Sequence, residues 1–201
     1  MQKFKSEELI DQLEKDVRQV IAAAEHLRTA DPVKLGYCSE GKWSVAQVID
    51  HLNRYSRHYL PLIEKAMVHI TKQTNAWFVS GFWGNYFTKL TMPKNVYEIK
   101  NKMKTAKIFS PEKSVNVEAV FNEFIQHQNK LLQLLEVAKR RNLNTIHVPV
   151  TQGRFFRFRL GDMFRYLVAH EQRHMIQARN TIMADPVFRV KKSVFIWGHA
   201  N

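Results

Sequence analysis

The sequence predicts an all-α protein built as a four-helix bundle. Three observations carry that expectation. Four long stretches repeat apolar residues at three- and four-residue steps, the period of an amphipathic helix: about Ser6–Ala30, Ser44–Thr71, Val115–Asn142 and Gly161–Ile182. Two-residue alternation is confined to Ile146–Leu160, which reads as a small hairpin or two extended arms before the last helix. The 201 residues contain no internal repeat and no low-complexity run, and that length suits one domain, 1–201, with a proper core. Amphipathic helices bury their stripes against one another, and the bundle is the simplest way for four of them to do so.

The first helix carries Leu9, Leu13, Val17, Val20, Ala24 and Leu27 on one stripe, with Ser6 as the expected N-cap and Asp31-Pro32 as the stop. In the loop that follows, Tyr37, Cys38 and Trp43 are expected to pack on the core. Ser44 and Gln47 then form a capping box. The serine takes an amide of the first turn and the glutamine reaches back. The stripe continues through Val48, Leu52, Tyr55, Tyr59 and Leu62, with His51 on the same face and Pro61 expected to kink the helix. Lys72–Pro111 is the least regular part. Trp77, Phe78, Phe82, Trp83, Tyr86 and Phe87 crowd around Gly81 and Gly84, and their density predicts burial; a lid, a subunit contact and the packing of a long crossover all fit. The third helix places Val117, Val120, Phe121, Phe124, Leu131, Leu135 and Ala138 on one face, interrupted by His127 and Gln128. His127 reads as a hydrogen-bonded core histidine. Asp185-Pro186 ends the last helix, and the tail from Val187 carries Phe188, Phe195 and Trp197, which should pack on the bundle.

The last helix carries the chemistry. His170 and His174 fall on its apolar stripe with Met163, Leu167 and Ala178. Histidines four residues apart sit one above the other, close enough to share a cation. Buried imidazoles need partners, and a metal would satisfy both, as would separate hydrogen bonds to neighbours. The letters from His170 through Glu171 to His174 also spell H-E-x-x-H, the zincin protease signature with glutamate as general base. The rest of the chain argues against a zincin. The downstream glycine and histidine positions of a metzincin hold Gln177 and Asn180, and Glu171 is the last glutamate. A third ligand comes from upstream or is Asp185. Glu171, one residue after a ligand, points about 100° away around the helix and reads as a supporting group rather than the base.

Composition narrows the function classes. No run approaches the roughly 20 apolar residues of a membrane span, and the charged N-terminus has no secretory h-region. Cys38 is the only cysteine, which excludes an intrachain disulfide and a cysteine zinc site. A cytoplasmic protein with no membrane partner is expected. The net charge is +13. A solvated basic surface explains it first and an anionic substrate second; there is no nucleic-acid motif, so nucleic acid is an unfavoured partner.

The second and fourth helices together resemble the DinB-like superfamily, including its bacillithiol S-transferase-like members. Trp43-Ser44 opens a helix followed by Asp50-His51-Leu52; Lys102–Lys107 leads to Phe109-Ser110-Pro111; Leu160-Gly161-Asp162 opens the helix with His170, Glu171, His174 and Gln177. The order and spacing of these phrases span nearly the whole chain. The resemblance implies a four-helix bundle of up-down-down-up order with a long crossover between the second and third helices. It implies a metal site made of His51, His170 and His174, a divalent ion such as zinc or nickel, and a homodimer. Several members are thiol-dependent transferases or isomerases, and many others have no established activity.

Three neutral imidazoles leave at least one coordination position open, as in catalytic zinc sites. The first functional reading is therefore a metal-dependent S-transferase that joins a small-molecule thiol to an electrophile. Arg154, Arg157, Arg159 and Arg173 are candidates to hold the thiol's carboxylates, and Gln47 and Tyr55, each one turn from His51, to orient ligands or substrate. The second reading is metal-assisted hydrolysis on the same ligands, and the third is a non-enzymatic bundle whose histidines support folding or a partner surface.

Overall fold

Helical periodicity and capping chemistry decide where the elements begin. The computed structural model describes residues 2–38, 41–68, 74–93, 95, 104–151 and 156–184. Within them the chain is mostly helical, as an all-α class requires. The elements are β1 (Lys3–Lys5), α1 (Ser6–Arg28), α2 (Pro32–Gly36), α3 (Val45–Val68), β2 (Trp77–Val79), α4 (Phe82–Thr91), α5 (Val117–Ala138), β3 (His147–Pro149), β4 (Arg157–Arg159) and α6 (Leu160–Met183). A single 3₁₀ turn, Lys107–Phe109, precedes α5. Asp185, the tail beyond it, Arg154 and the opening of the Lys102–Lys107 phrase lie outside the described residues.

The capping box forms as expected: the Ser44 amide donates to Gln47 Oε1 at 3.0 Å and the Gln47 amide to Ser44 Oγ at 3.1 Å. Pro61 lies inside α3, and the helix continues past it to Val68. Asn116 caps α5 by accepting the Ala119 amide at 3.0 Å. β3 and β4 pair antiparallel with Val148 opposite Phe158, which makes the extended segment before α6 a hairpin.

The long helices meet in pairs: α1 and α3 each pack on both α5 and α6. Two apolar clusters show which ends meet. In one, Leu9 and Leu13 of α1 join Ile63 and Met67 of α3, Leu134 and Ala138 of α5, and Leu160 and Phe164 of α6. In the other, Ala24 and Leu27 of α1 join Val45 and Ile49 of α3, Phe121 and Phe124 of α5, and Ala178 and Ile182 of α6.

Three local expectations need correction. Ser6 is not the N-cap of α1. Lys5 holds that position, because the chain enters the helix from a strand. β1 pairs with β2, and just beyond the pairing the Ser6 hydroxyl donates to the Asn75 carbonyl at 2.5 Å. Tyr37 is 61% exposed and Cys38 is exposed as well. The short helix α2, capped by Asp31, intervenes and buries Leu35 instead. The aromatic stretch is not buried as a whole either: Phe78 is, but Phe82, Trp83 and Tyr86 are 68%, 47% and 50% exposed.

The reason for that exposure lies in how α4 sits on α6. It turns Gly84, Thr88 and Thr91 inward and Phe82, Trp83 and Tyr86 outward, with Phe87 half-buried against the core. Asp162 of α6 lies against Gly84, where an added Cβ would stand 2.4 Å from the Asp162 Cβ. The same carboxylate accepts from the Gly81 amide at 2.8 Å, from Ser80 Oγ, and from Arg165 at 3.1 Å. Close approach and hydrogen bonding thus fix α4 to α6, and Phe87 adds an apolar contact with the core. Gly84→Ala should cost about 2 kcal/mol or more, the range for forcing a methyl into a packed contact. Urea unfolding would measure it, and an unchanged midpoint would contradict the close packing described.

Candidate metal centre

His51 lies on α3 between the apolar Val48 and Leu52, and His170 and His174 lie one turn apart on α6. All three are buried, and their ligand atoms lie within 4.8 Å of one another. His170 Nε2 stands 3.4 Å from His51 Nε2 and 3.1 Å from His174 Nε2. A tetrahedral ion with metal–nitrogen bonds near 2.05 Å separates its ligand nitrogens by about 3.3 Å. The two pairs that His170 makes already stand near that spacing, and the third lies within 4.8 Å.

Proton arithmetic makes the same point. His51 Nδ1 lies 2.7 Å from the Phe109 carbonyl, which can only accept, so Nδ1 carries the proton and Nε2 a lone pair. His174 Nδ1 faces Gln177 Oε1 at 2.9 Å, also an acceptor, which leaves a second lone pair on Nε2. A proton on His170 Nε2 could point at only one of them. The buried His170 Nδ1 has no hydrogen-bond partner among the described residues. One divalent cation answers the three Nε2 atoms together, so the residues present fit such an ion.

The local electrostatics favour neutral imidazoles, the form that ligates metal. Burial pushes the His51 pKa down to about 4, against a small opposing effect of the Phe109 carbonyl. Burial, then the neighbouring histidines and Arg173, hold His170 well below the ordinary value, and burial and His51 do the same for His174. Aromatic rings wall the group: Tyr55 lies 4.1 Å from the His170 ring and Trp43 5.0 Å from His51, centroid to centroid.

A wider polar layer surrounds the histidines. Gln128 of α5 donates to Glu171 Oε1 at 2.9 Å, inside the core. Asn53 of α3 donates to the Val120 carbonyl at 2.9 Å and meets His127 Nδ1 at 3.2 Å. His127 is therefore a hydrogen-bonded histidine of the core's edge and stands outside the three-histidine group. Glu171 is buried and turned toward α5. Desolvation raises its pKa to about 8, with the Gln128 hydrogen bond opposing, so at neutral pH it keeps a proton.

The other sequence candidates fall at different places. Gln47 spends its side chain on the capping box and on the Glu112 and Lys113 carbonyls, at 3.0 and 3.2 Å. Tyr55 stacks on the site, and burial and a hydrogen bond to Tyr166 hold its phenol protonated. Arg173 is buried beside the histidines, with its own pKa lowered by desolvation. Arg157 is exposed, and Arg159 is spent on the Val79 carbonyl. Two partners were missed. Gln177 stands three residues after His174, a spacing that could have revealed it. The Phe109 contact is made by backbone, for which no residue type is a signal.

This is a helical protein with a buried three-histidine group suited to a metal ion. The DinB superfamily model matches residues 24–178, a span that contains all three histidines, and the chain belongs to that superfamily. No curated protein and no solved structure gives a significant match.

Opposed titrations give the metal-free protein a stability maximum. The folded state refuses protons that the unfolded histidines bind below their ordinary value of 6.5, so stability falls as the pH drops from there toward about 4. Glu171 works the other way. Its folded carboxyl holds a proton from the ordinary 4.5 up to about 8, so its contribution is full at low pH and is lost as the pH rises through 8. Urea midpoints across that range should therefore fall on both sides of neutrality. Glu171→Gln should remove the alkaline fall and keep the acid one; an unchanged alkaline limb would show that Glu171 is ionised in the fold.

Proposed function

We propose that this chain is a divalent-metal enzyme of the thiol S-transferase kind, with zinc or nickel held by the Nε2 atoms of His51, His170 and His174. The observation that carries the reading is the convergence of those three buried nitrogens at ligand spacing. Imidazole sites of this type suit both metals. Four-coordinate ions with three protein ligands keep a position for an external group. When bound there, the ion supplies a Lewis acid that keeps a thiol ionised at neutral pH.

The chain's own residues supply orientation and charge. Phe109 and Gln177 fix the two flanking rings through Nδ1. Arg173, buried next to the histidines, supplies positive charge for a carboxylate of the thiol. Tyr55 and Trp43 form an apolar wall against which an electrophile can lie. Hydrolysis on the same ligands is the weaker alternative. It asks for a general base, and the nearest sequence candidate, Glu171, is buried with its carboxyl hydrogen-bonded to Gln128 of α5. A thiol delivered by a Lewis acid needs no such base. A non-enzymatic metal bundle remains the outcome if no turnover is found.

We read the four long helices as an up-down-down-up bundle, supported by the two apolar clusters that pair the start of α1 with the ends of α3 and α5 and the start of α6. The exposed aromatic face of α4 supports a homodimer, and a single exposed cysteine suits a reducing cytoplasm. No helix among the described residues is long and apolar enough to cross a membrane.

Elemental analysis of untagged protein should find about one divalent ion per chain, lost in the His51→Ala, His174→Ala double variant. The loaded protein should consume small thiols in the presence of an electrophile and leave simple esters and amides intact. Metal retention without thiol consumption would remove the transferase reading, and ester turnover would replace it with hydrolysis. No uptake of zinc or nickel would remove both.

A further inference from the structure

We infer that Asp50 and Gln47 are positioning residues for the metal: they strap the end of the crossover onto α3, and the strap holds the His51 ring in its ligating tautomer. The inference rests on the three-histidine reading above and extends it to residues that touch no ligand nitrogen.

The geometry is continuous from strap to ring. Asp50 Oδ2 accepts the Glu112 amide at 2.9 Å and Arg54 Nε at 3.0 Å, and Arg54 reaches on to the Glu112 carboxylate. Gln47 Nε2 donates to the Glu112 and Lys113 carbonyls at 3.0 and 3.2 Å. Residues 112 and 113 are thus held to α3 through both amide and carbonyl. Three residues upstream, Phe109 is buried with its ring 4.0 Å from Tyr55, and its carbonyl takes the His51 Nδ1 proton at 2.7 Å. Pro111 stiffens the short link between the two contacts by fixing its own φ.

The chemistry follows from the imidazole's single proton. With Nδ1–H committed to Phe109, Nε2 must present its lone pair toward His170 and His174. Without the carbonyl, the ring can place its proton on Nε2 and donate it to His170, which would close the site to a cation. Asp50 is almost wholly buried, although an exposed Arg54–Glu112 pair alone could serve surface electrostatics. Its carboxylate is spent on a backbone amide of the crossover, as a group that places backbone would be. Outer partners of ligating histidines commonly change metal affinity by 10- to 100-fold when removed.

Three variants separate the strap from general stability. Gln47→Glu keeps the acceptor that the Ser44 cap needs and loses the donor to Glu112 and Lys113. Asp50→Ala removes the amide and Arg54 contacts together, and Asp50→Asn should restore part of the loss. Cobalt affinity by chelator competition should fall about 10-fold or more in Gln47→Glu and Asp50→Ala, with a changed cobalt visible spectrum. In the metal-free protein, imidazole nitrogen chemical shifts should report the Nδ1–H tautomer for His51 in wild type and a shift toward Nε2–H in Gln47→Glu. Wild-type affinity, spectrum and tautomer in a folded Gln47→Glu would overturn the strap and leave the metal reading standing. No cobalt uptake by the unmodified protein would overturn the metal reading, and the strap with it.

Discussion

Three imidazole nitrogens, crowded inside an apolar interior with too few protons between them, are the constraint on which the middle of this molecule depends. Hydrogen bonds to Phe109 and Gln177 commit two rings to Nδ1–H, and burial keeps all three neutral. His170 Nε2 stands 3.4 and 3.1 Å from the two committed lone pairs, and the one proton it could carry answers only one of them, whereas a cation among the three nitrogens answers all. Packing alone would have filled these positions with leucine. The fold instead holds an arrangement that makes chemical sense with a cation in it.

The polar layer around that group divides the core. One apolar cluster ends near Tyr55 and Val168, and the other begins near Leu52 and Met175. Between them, Asn53, Gln128 and Glu171 join α3, α5 and α6 by hydrogen bonds that apolar contacts cannot imitate. Buried networks of this kind are costly when partly satisfied and fix helix register when complete. The crossover joins the same scheme from outside. Its last residues bring a carbonyl to His51, so a segment remote in sequence from α6 helps aim a ligand at it.

The helices were legible in the sequence because apolar period and capping are local. Ser44 and Gln47 announced the start of α3, and the spacing of His170 and His174 announced a shared face. His51 was a different case: its position on a stripe marked it as unusual, but pairing it with α6 came from the family resemblance, which the superfamily match over 24–178 bears out. The failures have physical causes. A serine ahead of an apolar stripe normally caps it, but Ser6 follows directly on the three-residue strand β1, which leaves almost no pattern, and its hydroxyl goes to the Asn75 carbonyl. Aromatic density usually means burial, yet Phe82, Trp83 and Tyr86 of α4 stand outside. The structure reverses the helix: Asp162 approaches so closely that only the glycine and threonine side can face α6. Nothing in a single sequence reveals a backbone carbonyl such as that of Phe109, or which way Glu171 turns once Gln128 stands opposite.

X-ray absorption at the metal edge of zinc-loaded protein, purified without a histidine tag and free of added thiol, reads the ligand set itself. Three imidazole nitrogens at about 2.0 Å are expected, with the remaining position filled by a light atom from solvent. A first shell with fewer than three imidazoles, or with sulfur or carboxylate supplied by the chain, would contradict the three-histidine site.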